Sequence, residues 1–530
     1  MARPLLGAKH DWTTLLSGRR GRAVVAVSKS LLPVCIHCSS GSNDTSSHHL
    51  QRRTLSGPST ASLFRQQRRH YQTYLRVNTA TGSSARIPLR EGKQGVYGVA
   101  TTRGSRPTQE DTYSVACIHV DPIELRHSLQ VSKSRVLQEA AKRWDPFAEG
   151  EDDAIAGQVA WFGCFDGHGS QKVSTFLKEE LHSAFESMEA DMATDTVRFT
   201  RSLGGYFRRF TGGMASKWVR QEMLPAVRAG RNPGGAHHRP PKGQEQQQTA
   251  EPISTEKMEE AKREKQKREE EASKEPEDLL GKIEVERIEP PEEAIKDSLT
   301  LSERATLTWL HMDRCVQSSK ALNVGGSTAS VALLHSLDLP AQPWYSSQFL
   351  SVTSIHIGDT RMLLCPVSDG RAIPLTNYHH PDDRAEAERL RKVGAGLITD
   401  SFGEARWMGA LANTRAFGDS QFKKAGVTSE PEVITQILKG DDFAFIITFS
   451  DGIGGVVNDQ EVVDLCRGAS HPDEAAKSVL RYAEALGSDD NATVMCIPLR
   501  GWGKVGGEDG TAETRKYKLS KVDLFRDHRQ

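Results

Sequence analysis

Acidic residues recur in this 530-residue sequence at the ends of apolar runs that have the length of buried strands. Asp166 follows the run 159–165, and Asp451 follows the run 443–449. Three more acids flank similar runs, namely Glu110, Asp111 and Asp490. Carboxylates that are brought together repel one another, and divalent cations between them relieve that repulsion. Because the set offers only oxygen ligands, it favours Mg²⁺ or Mn²⁺ over zinc.

The tetrapeptide Asp166-Gly167-His168-Gly169 has two interpretations. Asp-Gly is a strong turn signal, and a turn is all that we expect of Ser368-Asp369-Gly370. At Asp166, however, a histidine that titrates near neutrality follows, as a group that exchanges protons with a substrate would. The alternative for His168 is a core histidine that is bonded to a backbone carbonyl.

Strands must position these residues, since a strand buried on both faces delivers whatever follows it to the edge of a sheet. Seven motifs follow in order: RPTQED at 106–111, FDGHG at 165–169, GGSTAS at 325–330, IGDTR at 357–361, TRAFGD at 414–419, FSDG at 449–452 and DDNATV at 489–494. This ordered set resembles the metal-dependent protein serine/threonine phosphatases, the PPM or type 2C family. The resemblance extends from about residue 95 to 499 and is interrupted by one long insertion.

The resemblance implies an α+β fold in which two packed antiparallel β-sheets are flanked by helices, an αββα sandwich. It also implies hydrolysis of phosphoserine and phosphothreonine in proteins by a hydroxide that bridges two Mg²⁺ or Mn²⁺ ions. The alternative is a catalytically inactive scaffold of the same fold that binds partners through its charged insertion.

Transferred to this sequence, the family pattern assigns the first ion to Asp166, Asp451 and Asp490. It assigns the second ion to Asp166, the Gly167 carbonyl and, through water, Glu110. Asp111 would lie in an outer shell.

Two catalytic roles follow in the same way. His168 would protonate the departing serine or threonine oxygen. Arg106 would hold the substrate phosphate, because a planar guanidinium matches two phosphate oxygens. The alternative for Arg106 is a surface ion pair with the neighbouring acids.

Two positions depart from the family pattern. Gly455 stands where the family commonly has an acid, and Tyr378 stands where it commonly has an aspartate. Asp359 is either a turn residue or a weak ligand of a third ion, and the absence of an acid at Gly455 argues against that third ion. Neither departure removes a ligand of the two-ion centre. We assign no ion to His379 and His380, since neighbours on an extended segment point opposite ways. Asp419 is interpreted as structural.

The N-terminal segment 1–90 contains fourteen Lys or Arg residues against Asp11 and Asp44 only. This composition predicts a mitochondrial transit peptide, and with it a location in the matrix. The alternative is a basic arm without an address, on a cytosolic or nuclear protein. A net charge of zero argues against a general preference for nucleic acid or anionic membranes. No apolar stretch approaches the roughly 18 residues of a membrane span.

The sequence predicts a phosphatase domain at 95–499 that contains a charged, low-complexity insertion at 204–299. The insertion alternates acidic and basic residues without an apolar stripe, so we expect a solvated helix or a disordered segment, with partner binding as the alternative. Residues 500–530 are predicted to be a polar surface tail. The expected partners are phosphoprotein substrates.

Overall fold

The computed structural model describes residues 73–78, 83–146, 153–205, 298–391 and 412–527, together with Phe207, Trp218 and the short strands 397–399 and 405–407. The predicted transit peptide lies outside the described residues as far as residue 72, and so does most of the charged insertion. Both remain predictions.

The strands of the described residues are β1 Tyr74–Asn78, β2 Ser84–Pro88, β3 Gly98–Thr102, β4 Thr112–His119, β5 Gln158–Phe165, β6 Gly167–His168, β7 Gly326–Ser327, β8 Ala329–Ser336, β9 Phe349–Ile357, β10 Arg361–Pro366, β11 Ile373–Pro374, β12 Leu397–Thr399, β13 Ala405–Trp407, β14 Phe417–Gly418, β15 Glu432–Lys439, β16 Phe443–Phe449 and β17 Ala492–Pro498. The helices are α1 Pro122–Gln130, α2 Arg135–Arg143, α3 Asp153–Ala156, α4 Gln171–Glu186, α5 Ala193–Ser202, α6 Leu301–Ser318, α7 Arg384–Arg391, α8 Ser420–Lys423, α9 Asp451–Gly454, α10 Asp459–Cys466, α11 Pro472–Ala485 and α12 Ala512–Asp527. Two short 3₁₀ turns lie at Ala190–Met192 and Gly440–Asp442.

Most of these strands form two five-stranded antiparallel sheets. The first has the order β15-β9-β8-β5-β4, and the second has the order β11-β10-β16-β17-β3. A smaller sheet of the order β14-β7-β6 joins three two-residue strands. This small sheet contains Gly167 and His168, so it lies where the predicted chemistry lies.

The side chains of β5 alternate between two cores, as the predicted burial on both faces requires. Val159, Trp161 and Phe165 pack under the helices. Ala160 and Phe162 instead join the core between the sheets, with residues of the second sheet such as Ile446. The strand that ends at Asp166 is therefore fixed from both sides.

Three apolar cores separate four layers. Residues of α4 and α6 pack on the first sheet, the two sheets pack face to face, and residues of α10 and α11 pack on the second sheet. The predicted αββα sandwich is confirmed. The six cysteines in this part of the chain are all free and buried, namely Cys117, Cys164, Cys315, Cys365, Cys466 and Cys496. Among the described helices, none combines the length and the apolar composition of a membrane span.

The folded domain begins earlier than the predicted residue 95. Strands β1 and β2 form a hairpin within the segment that the composition assigns to the basic arm. Leu75 is buried in the core between the sheets, and the Arg76 amide donates to Gln158 Oε1 over 2.7 Å. One buried apolar residue in a five-residue strand is a weak sequence signal, and the surrounding arginines obscure it further.

The predicted polar surface tail at 500–530 contains helix α12, which packs on α10. Lys518 Nζ lies 2.8 Å from Glu461 Oε2, and Thr511 Oγ1 donates to Asp464 Oδ2 over 2.8 Å. Leu519 covers the core of the second sheet. The helix is mostly polar because it buries only a narrow stripe.

The core between the sheets makes a direct stability prediction. The ring of Phe162 packs edge-on against Trp344, with the centroids 5.1 Å apart, and against Tyr97 at 5.8 Å. We expect Phe162→Ala to destabilise the protein by about 3–5 kcal/mol, because the cavity it leaves cannot collapse. Urea unfolding monitored by fluorescence measures the change. The control Val131→Ala, at a side chain that is 54% exposed, should cost less than about 0.5 kcal/mol. Equal effects of the two substitutions would contradict this account of the core.

Candidate active site

The two large sheets and the small sheet surround a cleft of about 950 Å³. The predicted site residues that line this cleft are Arg106, Glu110, Asp166, Gly167, His168, Asp359, Asp451 and Asp490. Asp111 is buried, with 4% exposure, and its Oδ2 accepts a 2.7 Å hydrogen bond from Ser450 Oγ. Residues that are nearly four hundred positions apart are thus brought to one cavity.

Three carboxylates form the centre of the cleft. One oxygen from each of Asp166, Asp359 and Asp451 lies within 4.8 Å of the other two. The backbone of Asp166 is held in place, since its carbonyl accepts from the Thr328 amide and from Ser327 Oγ, each over 2.9 Å. Asp451 opens α9 directly after β16.

The sequence analysis assigns Asp359 at most a weak role as a metal ligand. The structure instead puts Asp359 in this central group. Asp359 follows β9 and is 7% exposed as a residue, and its Oδ1 is buried without a hydrogen-bond partner. The sequence shows that Asp359 follows a predicted strand. Its central position was missed because the residue was interpreted as part of a turn.

Crowding of these acids favours their protonated forms. Burial and the charges of Asp451 and Asp111 raise the pKa of Asp166 well above its ordinary value. Asp451 is open to the cleft yet closely surrounded by protein atoms; loss of hydration and the charge of Asp359 raise its pKa to about 7. Burial raises the pKa of Asp111 to about 6. Protons or cations must therefore compensate this group.

Glu110, Asp490 and Arg106 form one wall of the cleft and lie outside the central group of three. Arg106 Nη2 lies 2.6 Å from Asp490 Oδ2, and the Arg106 side chain is 57% exposed. The structure therefore contains the ion pair that was the alternative for Arg106, and it also places the guanidinium at the cleft. The other Asp490 oxygen accepts from the Asn491 amide over 2.8 Å.

Asn491 ties this wall together, a role that the sequence did not suggest. Its Oδ1 accepts from the Glu110 amide over 2.7 Å, and its Nδ2 donates to the carbonyls of Arg103 and Thr108. The loop of Glu110 is therefore fixed to the start of β17. The only signal was the position of Asn491 beside Asp490.

Gly167 is required by close packing. A Cβ atom there would lie 2.5 Å from the Glu110 carbonyl oxygen and 2.8 Å from Ser174 Oγ. Any side chain would push Glu110 away from Asp166.

His168 is not the carbonyl-bonded core histidine of the alternative interpretation. Its Nε2 lies 2.9 Å and 3.0 Å from the two carboxylate oxygens of Asp419, and its side chain is 38% exposed to the cleft. Burial opposes protonation, but the hydrogen bond and the charge of Asp419 outweigh it and raise the pKa of His168.

The opposite wall contains a column of stacked side chains. His380 stacks on Tyr378 with the ring centroids 5.3 Å apart, and the Arg361 guanidinium lies 4.7 Å from the Tyr378 centroid. Arg361 is itself held by Asp459. Tyr378, one of the departures from the family pattern, thus forms part of the wall of the cleft.

The two adjacent histidines point to different places, as predicted. His379 is buried and stacks on His356 with the centroids 4.8 Å apart, whereas His380 lines the cleft, with Nε2 3.7 Å from Asp359 Oδ2. Sequence reasoning missed His380 as a residue of the site because the pair was considered only as a shared metal site.

The central group suits hard divalent cations. All its donors are carboxylate oxygens, and buried oxygens of both Asp359 and Asp111 lack hydrogen-bond partners. An ion of the Mg²⁺ or Mn²⁺ type would replace those partners and the protons that crowding demands. Glu110 and Asp490 stand at the same cleft with carboxylates that could complete such a set.

Comparison with known proteins agrees with this chemistry. The sequence model of the family described as "Protein phosphatase 2C" matches residues 211–492. Protein phosphatase 2C homolog 4 of Schizosaccharomyces pombe is 28% identical over 450 residues, which cover 84% of this chain and 91% of that protein. The mitochondrial protein phosphatase 1K of Xenopus laevis is 34% identical over 179 residues, which cover 34% of this chain and 44% of that protein.

Among solved structures, serine-threonine phosphatase 2C of Toxoplasma gondii covers 81% of this chain and 99% of its own, at 16% identity and a TM-score of 0.39. The sequence match of the family model extends over more than half of the 530 residues. The chain therefore belongs to the protein phosphatase 2C family and is by that membership an enzyme of the protein phosphatase class.

Proposed function

We propose that the chain hydrolyses phosphoserine and phosphothreonine in proteins with the help of two Mg²⁺ or Mn²⁺ ions. The observation that supports this most directly is the group of three carboxylates in a cleft that also contains Arg106 and His168. In this proposal Asp166 would help to hold both ions. Asp451 and Asp490 would complete the first set of ligands, and the Gly167 carbonyl and, through water, Glu110 would complete the second.

Asp359 belongs to the central group and could hold an ion with Asp451. With Gly455 in place of an acid and Tyr378 in place of an aspartate, a third ion there would have few charged ligands, so we propose two ions. Two bound ions would supply activation of the attacking water and neutralisation of the phosphoryl charge.

The residues of the chain supply the rest of the chemistry. Arg106 is exposed at the mouth of the cleft, and its guanidinium can exchange Asp490 for two phosphate oxygens of the substrate. When the bond between phosphorus and the serine or threonine oxygen breaks, that oxygen keeps the bonding electron pair. His168 donates a proton to it, which a group with a raised pKa can do at neutral pH.

Loss of a carboxylate that binds the ions should greatly slow the turnover of a phosphoserine peptide. We expect Asp166→Asn and Asp451→Asn to lower kcat by about 10²- to 10³-fold or more, because each removes charge that holds the ions. EDTA should have the same effect on the wild type, and Mn²⁺ should reverse it.

Asp369→Asn is a matched control, because Asp369 lies in the same Ser-Asp-Gly sequence as Asp451 but forms an exposed turn. It should leave kcat unchanged. Turnover that survives both EDTA and Asp166→Asn would refute the proposed mechanism. Ion binding without turnover would favour the inactive scaffold.

The metal-free protein should lose stability as the pH rises. The pKa values of Asp451 and Asp111 are about 7 and 6 in the folded state, against an ordinary value of 3.8. Folding therefore favours the protonated carboxyls, and that contribution disappears between about pH 4 and 7.

Because solvent in the cleft screens these charges, we expect Tm in EDTA to fall by only about 1–3 °C between pH 6 and pH 8 relative to the double variant Asp111→Asn/Asp451→Asn. Mn²⁺ should raise Tm more at pH 8 than at pH 6. Differential scanning fluorimetry measures both effects. A wild-type Tm that rises with pH relative to that variant would contradict the assigned pKa directions.

We also propose that the enzyme works in mitochondria. The basic, acid-poor segment before residue 73 supports this, as does the similarity to a mitochondrial phosphatase. A fluorescent fusion of the full chain should colocalise with a mitochondrial marker, and deletion of residues 1–72, which spares the β1–β2 hairpin, should release it to the cytosol. Substitution of Arg19, Arg20 and Arg22 by Gln is a milder test of the same signal. An unchanged distribution after the deletion would refute the assignment.

A further inference from the structure

Asp419 and His168 meet through the small sheet. Gly326 of β7 is paired with His168 of β6 on one side and with Gly418 of β14 on the other. Asp419 follows Gly418, so its carboxylate reaches across Gly326 to the imidazole. A Cβ atom on Gly326 would lie 2.5 Å from His168 Nε2 and 2.6 Å from Asp419 Oδ2, so only glycine leaves room for the contact.

The backbone of Asp419 adopts a conformation that aspartate seldom occupies. Its φ of 49° and ψ of 44° lie in the left-handed region, and among the described residues it is the one non-glycine with positive φ. Such a conformation costs on the order of 1 kcal/mol and persists only where the surroundings enforce it.

Helix α6 supplies the surroundings that enforce it. Asp313 Oδ1 accepts from the Gly418 amide over 2.9 Å, and Gln317 Nε2 donates to the Gly418 carbonyl over 2.9 Å. Lys423, with 1% exposure, lies 3.0 Å from Asp313 Oδ2 and donates to the Ala416 carbonyl. The turn that presents Asp419 is therefore clamped on both sides by buried polar groups.

The contact determines which nitrogen of His168 is available. Nε2 lies at hydrogen-bond distance from both oxygens of Asp419, and a carboxylate accepts hydrogen bonds, so Nε2 carries a hydrogen. In the part of the chain that the structure describes, Nδ1 has no hydrogen-bond partner. Nδ1 is therefore the nitrogen that these contacts leave open for a substrate, on a side chain that lines the cleft.

We propose that Asp419 is a positioning residue, which binds Nε2–H of His168 and so presents Nδ1–H to the departing serine or threonine oxygen. The Nδ1–H bond of the imidazolium breaks as the new O–H bond forms, and the ring becomes a neutral imidazole that keeps Nε2–H on the carboxylate. This inference rests on the proposed function, because it concerns the proton that His168 donates there.

The test compares two substrates that differ in their leaving group. A phosphoserine peptide releases an alkoxide that needs a proton, whereas p-nitrophenyl phosphate releases a stable anion that does not. Asp419→Gly removes the carboxylate and suits the left-handed backbone, so we expect it to fold with an undiminished Tm. Asp419→Asn, which also tolerates this conformation, is the second variant.

For both variants we expect kcat on the phosphoserine peptide to fall by about 10²-fold, with KM and the kcat on p-nitrophenyl phosphate little changed. The double variant His168→Gln/Asp419→Gly should be no slower than His168→Gln alone, because Asp419 acts through His168. Asp121→Asn, the same chemical change at an exposed helix cap, is the control and should leave both activities intact.

Equal losses on both substrates would overturn the proposal in favour of a merely structural Asp419, and so would additive losses in the double variant. No loss on either substrate would overturn it as well. Failure of the proposed function is a separate result, since it would appear as wild-type activity that survives EDTA.

Discussion

Mutual repulsion among the crowded carboxylates of the cleft is the force that the two packed sheets must withstand. Asp166, Asp359 and Asp451 would separate if their backbones could move, and none has an arginine or lysine beside it in the central group. Each instead stands at the end of a strand that two apolar cores hold in place. The packing energy of the two sheets thus holds like charges together despite their repulsion. Cations that bind between the carboxylates would make this arrangement favourable.

The supports around the centre follow the same logic. Backbone hydrogen bonds fix Asp166, and Asn491 binds the loop of Glu110 to the start of β17. Glycine stands at positions 167 and 326, where a Cβ would displace a functional group. The two side chains to which we assign proton donation and phosphate binding, His168 and Arg106, are more exposed.

The sandwich and most residues of the cleft could be predicted from the sequence, because apolar runs, strand ends and ordered motifs are local features. Prediction failed where a role depends on a partner distant in sequence. The sequence predicts a structural role for Asp419. In the folded chain, the pairing of Gly326 with both His168 and Gly418 places Asp419 against His168, 251 residues away. The place of His380 in the wall of the cleft depends on its stacking on Tyr378 and on its contact with Asp359. The β1–β2 hairpin and helix α12 bury too little apolar surface to leave a recognisable pattern in the sequence. They belong to the domain because of their tertiary contacts.

We propose that these acids converge because a pair of divalent ions binds between them. The most direct measurement is a crystal structure of the protein grown with Mn²⁺, with diffraction recorded on both sides of the manganese absorption edge. We expect two anomalous peaks in the cleft, both next to Asp166, and their loss in crystals of Asp166→Asn. Strong peaks only elsewhere on the protein, or a cleft that stays free of manganese while phosphopeptide is hydrolysed in solution, would contradict it.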